Sequence, residues 1–191
     1  VTQHDAEEFY SCLYESFDRI ASKMNIQISI HSAKHSKNLV DQVHLVSKFH
    51  DGIILMAPPL ISEDYEMILK KSREYPIVSI APVDGNIFPT ITFDSYEGGR
   101  LAAETLVESG FTQFGIITGP LIKWEANLRK NGFSDALRIK GYEINWEFQG
   151  NYSFNSGEAA YEDINKNELT NIGIFSSNDQ MALGFLHTAL E

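Results

Sequence analysis

The chain has 191 residues, of which 43% are hydrophobic and 12% aromatic, and its formal net charge is −11. This length allows a buried core in one large or two small domains, and the acidity argues against a nucleic-acid-binding domain, because such domains are usually basic. A single cysteine, Cys12, excludes an intrachain disulfide, and no apolar run reaches the ~18 residues of a membrane span. We therefore predict a cytoplasmic protein with no membrane contact.

Helix and strand signals alternate along the whole chain. Apolar residues recur at helical spacing over 6–24, 38–49, 62–73, 95–109, 122–140, 156–165 and 180–191. Short apolar or alternating runs predict strands at 26–30, 52–55, 76–80, 90–93, 114–117, 144–148 and 172–175. This alternation predicts an α/β fold with parallel sheets and helices on both faces of each sheet.

The loop 81–89 is rich in Pro, Gly and Asn and is the best candidate for a domain boundary. It predicts an N-terminal subdomain over 1–93 and a C-terminal subdomain over 94–191. We expect both to be incomplete, because no strand precedes the first helix and no return to the first half follows the last one. Residues beyond both ends are therefore expected in the native protein.

Signals for catalysis are weak in this sequence. It contains no Walker-type phosphate loop, no G-x-G-x-x-G and no G-x-S-x-G nucleophile elbow. His31 and His35 lie four apart across a strand-to-loop junction, which is not the spacing of a metal pair on a helix. We therefore predict no enzymatic activity, no metal site and no cofactor.

Polar residues follow two of the predicted strands, at the positions where open α/β sheets hold ligands. Asn178 and Asp179 come directly after the strand 172–175, and Arg129 lies on the helix that follows the strand 114–117 and a Gly-Pro turn. An asparagine offers a donor and an acceptor, and a guanidinium offers forked donors, which suits the hydroxyls of a small molecule.

Each of these residues also has a purely structural interpretation. Asp94 lies three residues before Glu97, so it could form a capping box with Glu97 or accept hydrogen bonds from ligand hydroxyls. Asn178 and Asp179 could likewise cap the helix that follows them. Arg129 fits a solvated helix residue, and Tyr152 fits either a surface loop or a flat platform for a sugar or base. The sequence leaves these alternatives open, and a cap and a ligand contact can coexist.

Further candidates are less well defined by their surroundings. Phe9 and Tyr10 could be buried in the core or could contact a ligand through their rings. Ser95 is a candidate ligand contact because it directly follows Asp94. Lys123 and Glu125 follow the Gly-Pro turn, so some of this segment is expected to face a ligand. Gly132 lies inside a predicted helix, where glycine costs stability relative to alanine, so close packing is expected there.

Several strings in a fixed order resemble the effector-binding core of the lactose-repressor/galactose-repressor (LacI/GalR) family of bacterial transcription regulators. They are Asp94 with Gly98-Gly99-Arg100-Leu101-Ala102-Ala103, Ile116-Ile117-Thr118-Gly119-Pro120, Arg129 with Gly132-Phe133, and Asn178-Asp179-Gln180-Met181-Ala182-Leu183-Gly184. The first half is similar mainly through Asp51-Gly52-Ile53-Ile54-Leu55 and Pro76-Ile77-Val78-Ser79-Ile80.

The resemblance implies a type I periplasmic-binding-protein-like fold, with two Rossmann-like subdomains and a hinged cleft that holds an effector. It also implies a homodimer, and a helix-turn-helix domain upstream that binds operator DNA. The family's cleft arginine, cleft asparagine, hinge acid and stacking aromatic fall on Arg129, Asn178, Asp94 and Tyr152, and a less constant aromatic position falls on Phe9 and Tyr10.

Two rival interpretations share much of this pattern. An extracytoplasmic sugar-binding protein of an ABC transporter has the same fold and a similar cleft, and fold alone does not decide between them. The second rival is an enzyme of Rossmann-like fold. The sequence leaves open whether the effector is a sugar, a nucleoside or a related metabolite.

Overall fold

The computed structural model describes residues 7–31, 39–56, 62–72, 75–80, 87–164 and 171–191, with the backbone alone at 7–10, 39 and 62. The chain divides into two compact units, Val1–Thr92 and Phe93–Glu191. Among the described residues, no helix combines the length and the apolar character that crossing a membrane requires.

The first unit contains a pair of parallel strands with helices beside them. Its elements in chain order are α1 (Glu7–Lys23), α2 (Leu39–Val46), β1 (Ile53–Leu55), α3 (Ser62–Lys71) and β2 (Ile77–Ser79). The strands pair in register with Ile53 opposite Ile77. The core beneath them is closed by Tyr65 and Ile68 of α3, both fully buried, and the Tyr65 hydroxyl lies 3.1 Å from the buried Ser79 hydroxyl.

Two strand predictions in this unit are wrong. Residues 26–30 form no strand, and Ile26, Ile28 and Ile30 are exposed, because no strand among the described residues pairs with them. Residues 90–93 form only an isolated bridge between Thr90 and Ser79. An alternating pattern makes a strand only where a neighbouring backbone completes the ladder.

The second unit is a three-stranded parallel sheet between two layers of helices. Its elements are α4 (Ser95–Glu108), β3 (Gln113–Thr118), α5 (Trp124–Ile139), β4 (Trp146–Gln149), α6 (Phe154–Asp163), β5 (Ile172–Ser176) and α7 (Asp179–Leu190). The strand order is β4-β3-β5, with every pair parallel. The predicted α/β alternation with parallel sheets is therefore confirmed in this unit.

The central strand β3 separates two apolar clusters. Phe114 and Ile116 point to one face and pack with Phe133 and Leu137 of α5, whereas Ile117 points to the other face and packs with Met181 of α7. All six are fully buried. Successive strand residues point to opposite faces, so the continuous apolar run in β3 is what two covered faces require.

Reciprocal glycines bring the helices of each layer together. A Cβ atom on Gly132 of α5 would lie 1.9 Å from the carbonyl oxygen of Tyr96, and one on Gly184 of α7 would lie 2.0 Å from that of Phe154. Real Cβ atoms are never found so close, so the backbones of α4 and α5, and of α6 and α7, touch at these points. The close packing predicted at Gly132 is confirmed.

Candidate functional site

The carboxyl ends of the three strands of the second unit meet at one edge of the sheet, because all the strands are parallel. The segments that follow them are joined by main-chain hydrogen bonds. Gly150, after β4, donates to the carbonyl oxygen of Thr118 at 2.8 Å, and Ser177, after β5, donates to that of Ile117 at 2.9 Å. The segments that carry the predicted site residues after β4 and β5 are therefore both hydrogen-bonded to the end of β3.

Tyr152 lies at this edge of the sheet, in the segment between the outer strand β4 and α6. Its backbone is left-handed, with φ of 72°, a conformation that is uncommon for a residue other than glycine. The turn is held by the Asn151 side chain, which accepts from the backbone N–H of Ser153 at 2.9 Å. Ser153 in turn caps α6 by accepting from the N–H of Ser156. The left-handed turn thus fixes where the phenol ring points.

Asn178 connects Tyr152 to the start of α7. Its side-chain NH₂ donates to the main-chain carbonyl oxygen of Tyr152 at 2.9 Å, and its side-chain oxygen accepts from the backbone N–H of Met181 at 3.2 Å. The second bond is the helix cap that the sequence allowed. Asn178 therefore holds the aromatic residue and the helix together.

Two cationic side chains approach the Tyr152 phenol. The Arg129 guanidinium donates to the Tyr152 hydroxyl at 3.5 Å, and the Lys123 ammonium lies 5.6 Å from the centroid of the ring. The second distance is that of a cation–π contact. The structure thus brings Arg129, Tyr152, Asn178 and Lys123 into one connected group, which we call the Tyr152 cluster.

Gly119 lies directly against the phenol. A Cβ atom at this position would be 2.1 Å from Cζ of Tyr152 and 2.3 Å from its hydroxyl oxygen. The sequence indicated only a Gly-Pro turn here, so this contact was missed. A glycine that directly follows a strand can mark a close approach by another group, and that was the available signal.

The electrostatic surroundings of Tyr152 are mixed. Burial raises the pKa of the Tyr152 hydroxyl above its ordinary value of 10.0, the carboxylate of Glu125 raises it further, and the guanidinium of Arg129 acts in the opposite direction. The phenol is therefore neutral at physiological pH and available as a hydrogen-bond donor. Glu125, predicted as a site residue, acts on the cluster through its charge.

The cations of the Tyr152 cluster lack ion-pair partners among the described residues, whereas their neighbours are paired. Arg100 contacts Glu97 and Glu104 on its own helix, and Lys130 contacts Glu147 at 2.6 Å. In an acidic chain this leaves Lys123 and Arg129 as two positive groups beside one aromatic residue.

The remaining predicted residues lie outside these contacts. Asp94 caps α4 by accepting from the N–H of Glu97 at 2.9 Å, which is the capping interpretation, and Ser95 is buried in the first turn of α4. Asp179 is the exposed first residue of α7. Phe9 and Tyr10 lie on α1, and their side chains are outside the described residues.

The described residues contain no group of three His, Cys, Asp or Glu side chains arranged to hold a metal ion. The polar groups of the Tyr152 cluster are instead an amide, a guanidinium, an ammonium and a phenol. Such groups suit hydrogen bonds to a neutral or anionic organic molecule.

Comparison with known proteins places the chain among bacterial regulators. It is 33% identical over 147 residues to the ribose operon repressor of Escherichia coli K12, a match that covers 73% of this chain and 43% of the relative. It is 30% identical over 187 residues to catabolite control protein A of Priestia megaterium, covering 95% of this chain and 56% of the relative. The chain therefore spans about half the length of these curated relatives. No protein-family model matches it.

Solved structures agree on the fold. A dimeric lac repressor with an 11-residue C-terminal deletion superposes with a TM-score of 0.82 at 23% identity, covering 94% of this chain and 67% of that one. This likeness confirms the predicted periplasmic-binding-protein-like α/β fold. The two sequence relatives carry the names of a repressor and a control protein rather than of enzymes, in line with the prediction that the chain has no enzymatic activity.

Proposed function

The chain belongs to the lactose-repressor/galactose-repressor family of bacterial transcription regulators, and we propose that it is the part of such a regulator that binds a small-molecule effector. The ligand we propose is a sugar, a sugar derivative, a nucleoside or a related metabolite. The regulator as a whole is proposed to act in the cytoplasm.

The observation that carries this proposal is the Tyr152 cluster. A half-buried phenol, a guanidinium and an amide come together where three parallel strands end. In open α/β sheets the ligand lies outside the carboxyl ends of the strands. Arg129 supplies forked donors for two ligand oxygens, and the Tyr152 ring supplies a flat apolar surface for a sugar or base. Asn178, which follows β5, holds the main chain of Tyr152 through a hydrogen bond to its carbonyl oxygen.

The proposed mechanism is a shift of population between two states of the regulator. An effector that binds one state more tightly shifts the equilibrium toward it, and the shift is limited by the difference in affinity. Operator DNA, bound through a helix-turn-helix domain outside this chain, then senses the change. The homodimer and the hinged cleft that the resemblance implies belong to this proposal as well.

Asp94 stays in the proposal as a ligand contact, and Ser95, Asp179, Phe9 and Tyr10 stay in it as ligand contacts of lower rank. A carboxylate that caps a helix through one oxygen keeps another oxygen for a ligand hydroxyl. The rival of an extracytoplasmic transport protein is disfavoured, because the relatives are named as a repressor and a control protein.

A thermal-shift screen of the chain tests the proposal. The panel contains neutral sugars, sugar phosphates, sugar acids and nucleosides. A ligand present at about one hundred times its Kd stabilises the folded state by about 2.7 kcal/mol, so a true effector raises Tm and also changes the operator affinity of the intact regulator. A panel that leaves Tm unchanged, or a compound that the protein turns over chemically, contradicts it.

A further inference from the structure

Lys123 and Arg129 approach the same phenol from different positions along the chain. Lys123 immediately precedes α5, whereas Arg129 lies within that helix. The Lys123 ammonium is 5.6 Å from the ring centroid of Tyr152, and the Arg129 guanidinium donates to its hydroxyl at 3.5 Å. Both cationic groups therefore lie beside one half-buried side chain at the carboxyl edge of the sheet.

The chain is acidic overall, with a formal net charge of −11. Other cations of α4 and α5 meet carboxylates, as Arg100 of α4 does with Glu97 and Glu104, and as Arg138 of α5 does with Asp135 at 2.8 Å. Within the part of the chain that the structure describes, neither Lys123 nor Arg129 has such an ion-pair partner. Their charges are therefore available to a ligand.

Glu125 is the carboxylate that acts on this phenol, since it raises the pKa of Tyr152 while Arg129 lowers it. The charged groups around the ring are thus two cations, Lys123 and Arg129, and one anion, Glu125. A neutral polyhydroxylated ligand needs no such excess of positive charge, whereas a ligand with an anionic group would neutralise it.

We propose that the effector is a hydroxylated molecule that carries a phosphate or a carboxylate, and that Lys123 is the residue that selects this anionic group. The inference rests on the function proposed above. Lysine presents a compact charge on a flexible stem, so its ammonium can leave the Tyr152 ring and contact the anion. A charge-assisted hydrogen bond to an anion is stronger than a cation–π contact at a partly exposed site.

Arg129 and Lys123 have different roles in this arrangement. The Arg129 guanidinium, held at the phenol hydroxyl, contacts the ligand oxygens that any effector of this class offers. The Lys123 ammonium distinguishes the charged ligand from its neutral parent. Removal of the Lys123 charge is therefore expected to abolish the preference for the charged ligand over its neutral parent.

The test is calorimetric titration of the protein with matched probes, namely ribose and glucose, the terminal phosphate esters of both, and the corresponding aldonic acids. At least one anionic probe is expected to bind about tenfold or more tightly than its neutral parent. Lys123→Gln should remove that difference and Lys123→Arg should restore most of it. Lys140→Gln removes an equal charge at the exposed end of α5 and should change nothing.

The outcomes separate the inference from the proposed function. Phosphate esters that bind tightly when aldonic acids do not, or the reverse, identify which anion Lys123 selects. Neutral sugars that bind as tightly as their anionic counterparts, or a preference that survives Lys123→Gln, overturn the inference and leave the proposed effector site intact. Failure of every probe to bind overturns the inference, whereas the proposed function is overturned only if the wider thermal-shift panel, which includes nucleosides, also leaves Tm unchanged.

Discussion

The side-chain amide of Asn178 donates a 2.9 Å hydrogen bond to the main-chain carbonyl oxygen of Tyr152. The carbonyl end of the same amide caps α7 through the N–H of Met181. One side chain thus fixes both the left-handed backbone of Tyr152 and the first turn of the following helix. Asn178 is therefore a positioning residue for the aromatic ring, whether or not it also contacts ligand.

Replacement of this amide separates its two tasks. Asn178→Asp keeps an acceptor for the cap of α7 but places a carboxylate oxygen against the carbonyl oxygen of Tyr152. Loss of the bond is expected to lower the free energy of unfolding by about 1–2 kcal/mol and to weaken effector binding by about tenfold. Urea unfolding and calorimetry measure the two effects, and Asn131→Asp, an exposed substitution on α5, serves as the charge-matched control.

A double-mutant cycle shows whether Asn178 acts through the ring. In a Tyr152→Ala background, Asn178→Asp should cost little further affinity, because the ring that it positions is absent. Full additivity of the two affinity losses would instead assign Asn178 to direct ligand contact alone.

Gly119 and Gly98 offer a matched pair of glycine substitutions. Gly119→Ala would place a methyl group 2.1 Å from Cζ of Tyr152, whereas Gly98 of α4 has nothing within 4 Å of an added Cβ. Gly119→Ala is expected to cost about 1–3 kcal/mol of stability and to displace the ring. Gly98→Ala is expected to stabilise by about 0.5–1 kcal/mol.

Urea unfolding of both variants, alone and with Tyr152→Ala, provides the measurement. The cost of Gly119→Ala should shrink once the phenol is removed. An undiminished cost would mean that Gly119 is constrained by something other than the ring.

The glycines between paired helices should be far less tolerant. An added Cβ on Gly132 meets the backbone oxygen of Tyr96 at 1.9 Å, and one on Gly157 meets that of Met181 at 2.1 Å. A helix backbone cannot move away from the added methyl group by changing rotamer, as a side chain can. Each alanine substitution should therefore lower the free energy of unfolding by about 3 kcal/mol. Thermal unfolding checks this, and a change in Tm as small as that of Gly98→Ala would contradict the close helix contact.

Much of the second unit was predictable from local pattern. The observed helices α4, α5, α6 and α7 begin and end within a few residues of the apolar periodicities that predicted them. Gly110 and Gly141, at φ of 84° and 83°, directly follow the C-caps of α4 and α5, which is a position where glycine commonly ends a helix. Capping by Asp94 and by Asn178 was likewise predictable, because it involves residues only three apart.

Pairing and long-range contacts were not predictable in this way. Residues 26–30 alternate as a strand does, yet a strand also needs a partner that local sequence cannot supply. The left-handed backbone at position 152 was not predictable, because the residue there is a tyrosine and not a glycine. The contacts of Tyr152 with Lys123 and Gly119 join residues about thirty apart in the chain. Such contacts depend on the register of β3 and β4.

The hydroxyl of Tyr152 should titrate above its ordinary pKa of 10.0, chiefly because it is buried. A pKa raised in the folded state gives stability that is complete below the ordinary value and is lost as the pH rises through the raised one. Glu125→Gln is expected to lower the pKa of Tyr152, and Arg129→Gln to raise it. NMR of isotope-labelled tyrosine, assigned with Tyr152→Phe, follows the titration, and equal pKa values in all variants would place these charges away from the phenol.

The most direct measurement of the proposed effector site is the affinity of Arg129→Ala for the ligand that gives the largest thermal shift with the unaltered protein. Calorimetry is expected to show binding weakened by more than about tenfold, with urea unfolding little changed. Arg138→Ala, which removes an exposed arginine of the same helix, should bind as the unaltered protein does. Unchanged affinity in Arg129→Ala would contradict the placement of the effector at the Tyr152 cluster.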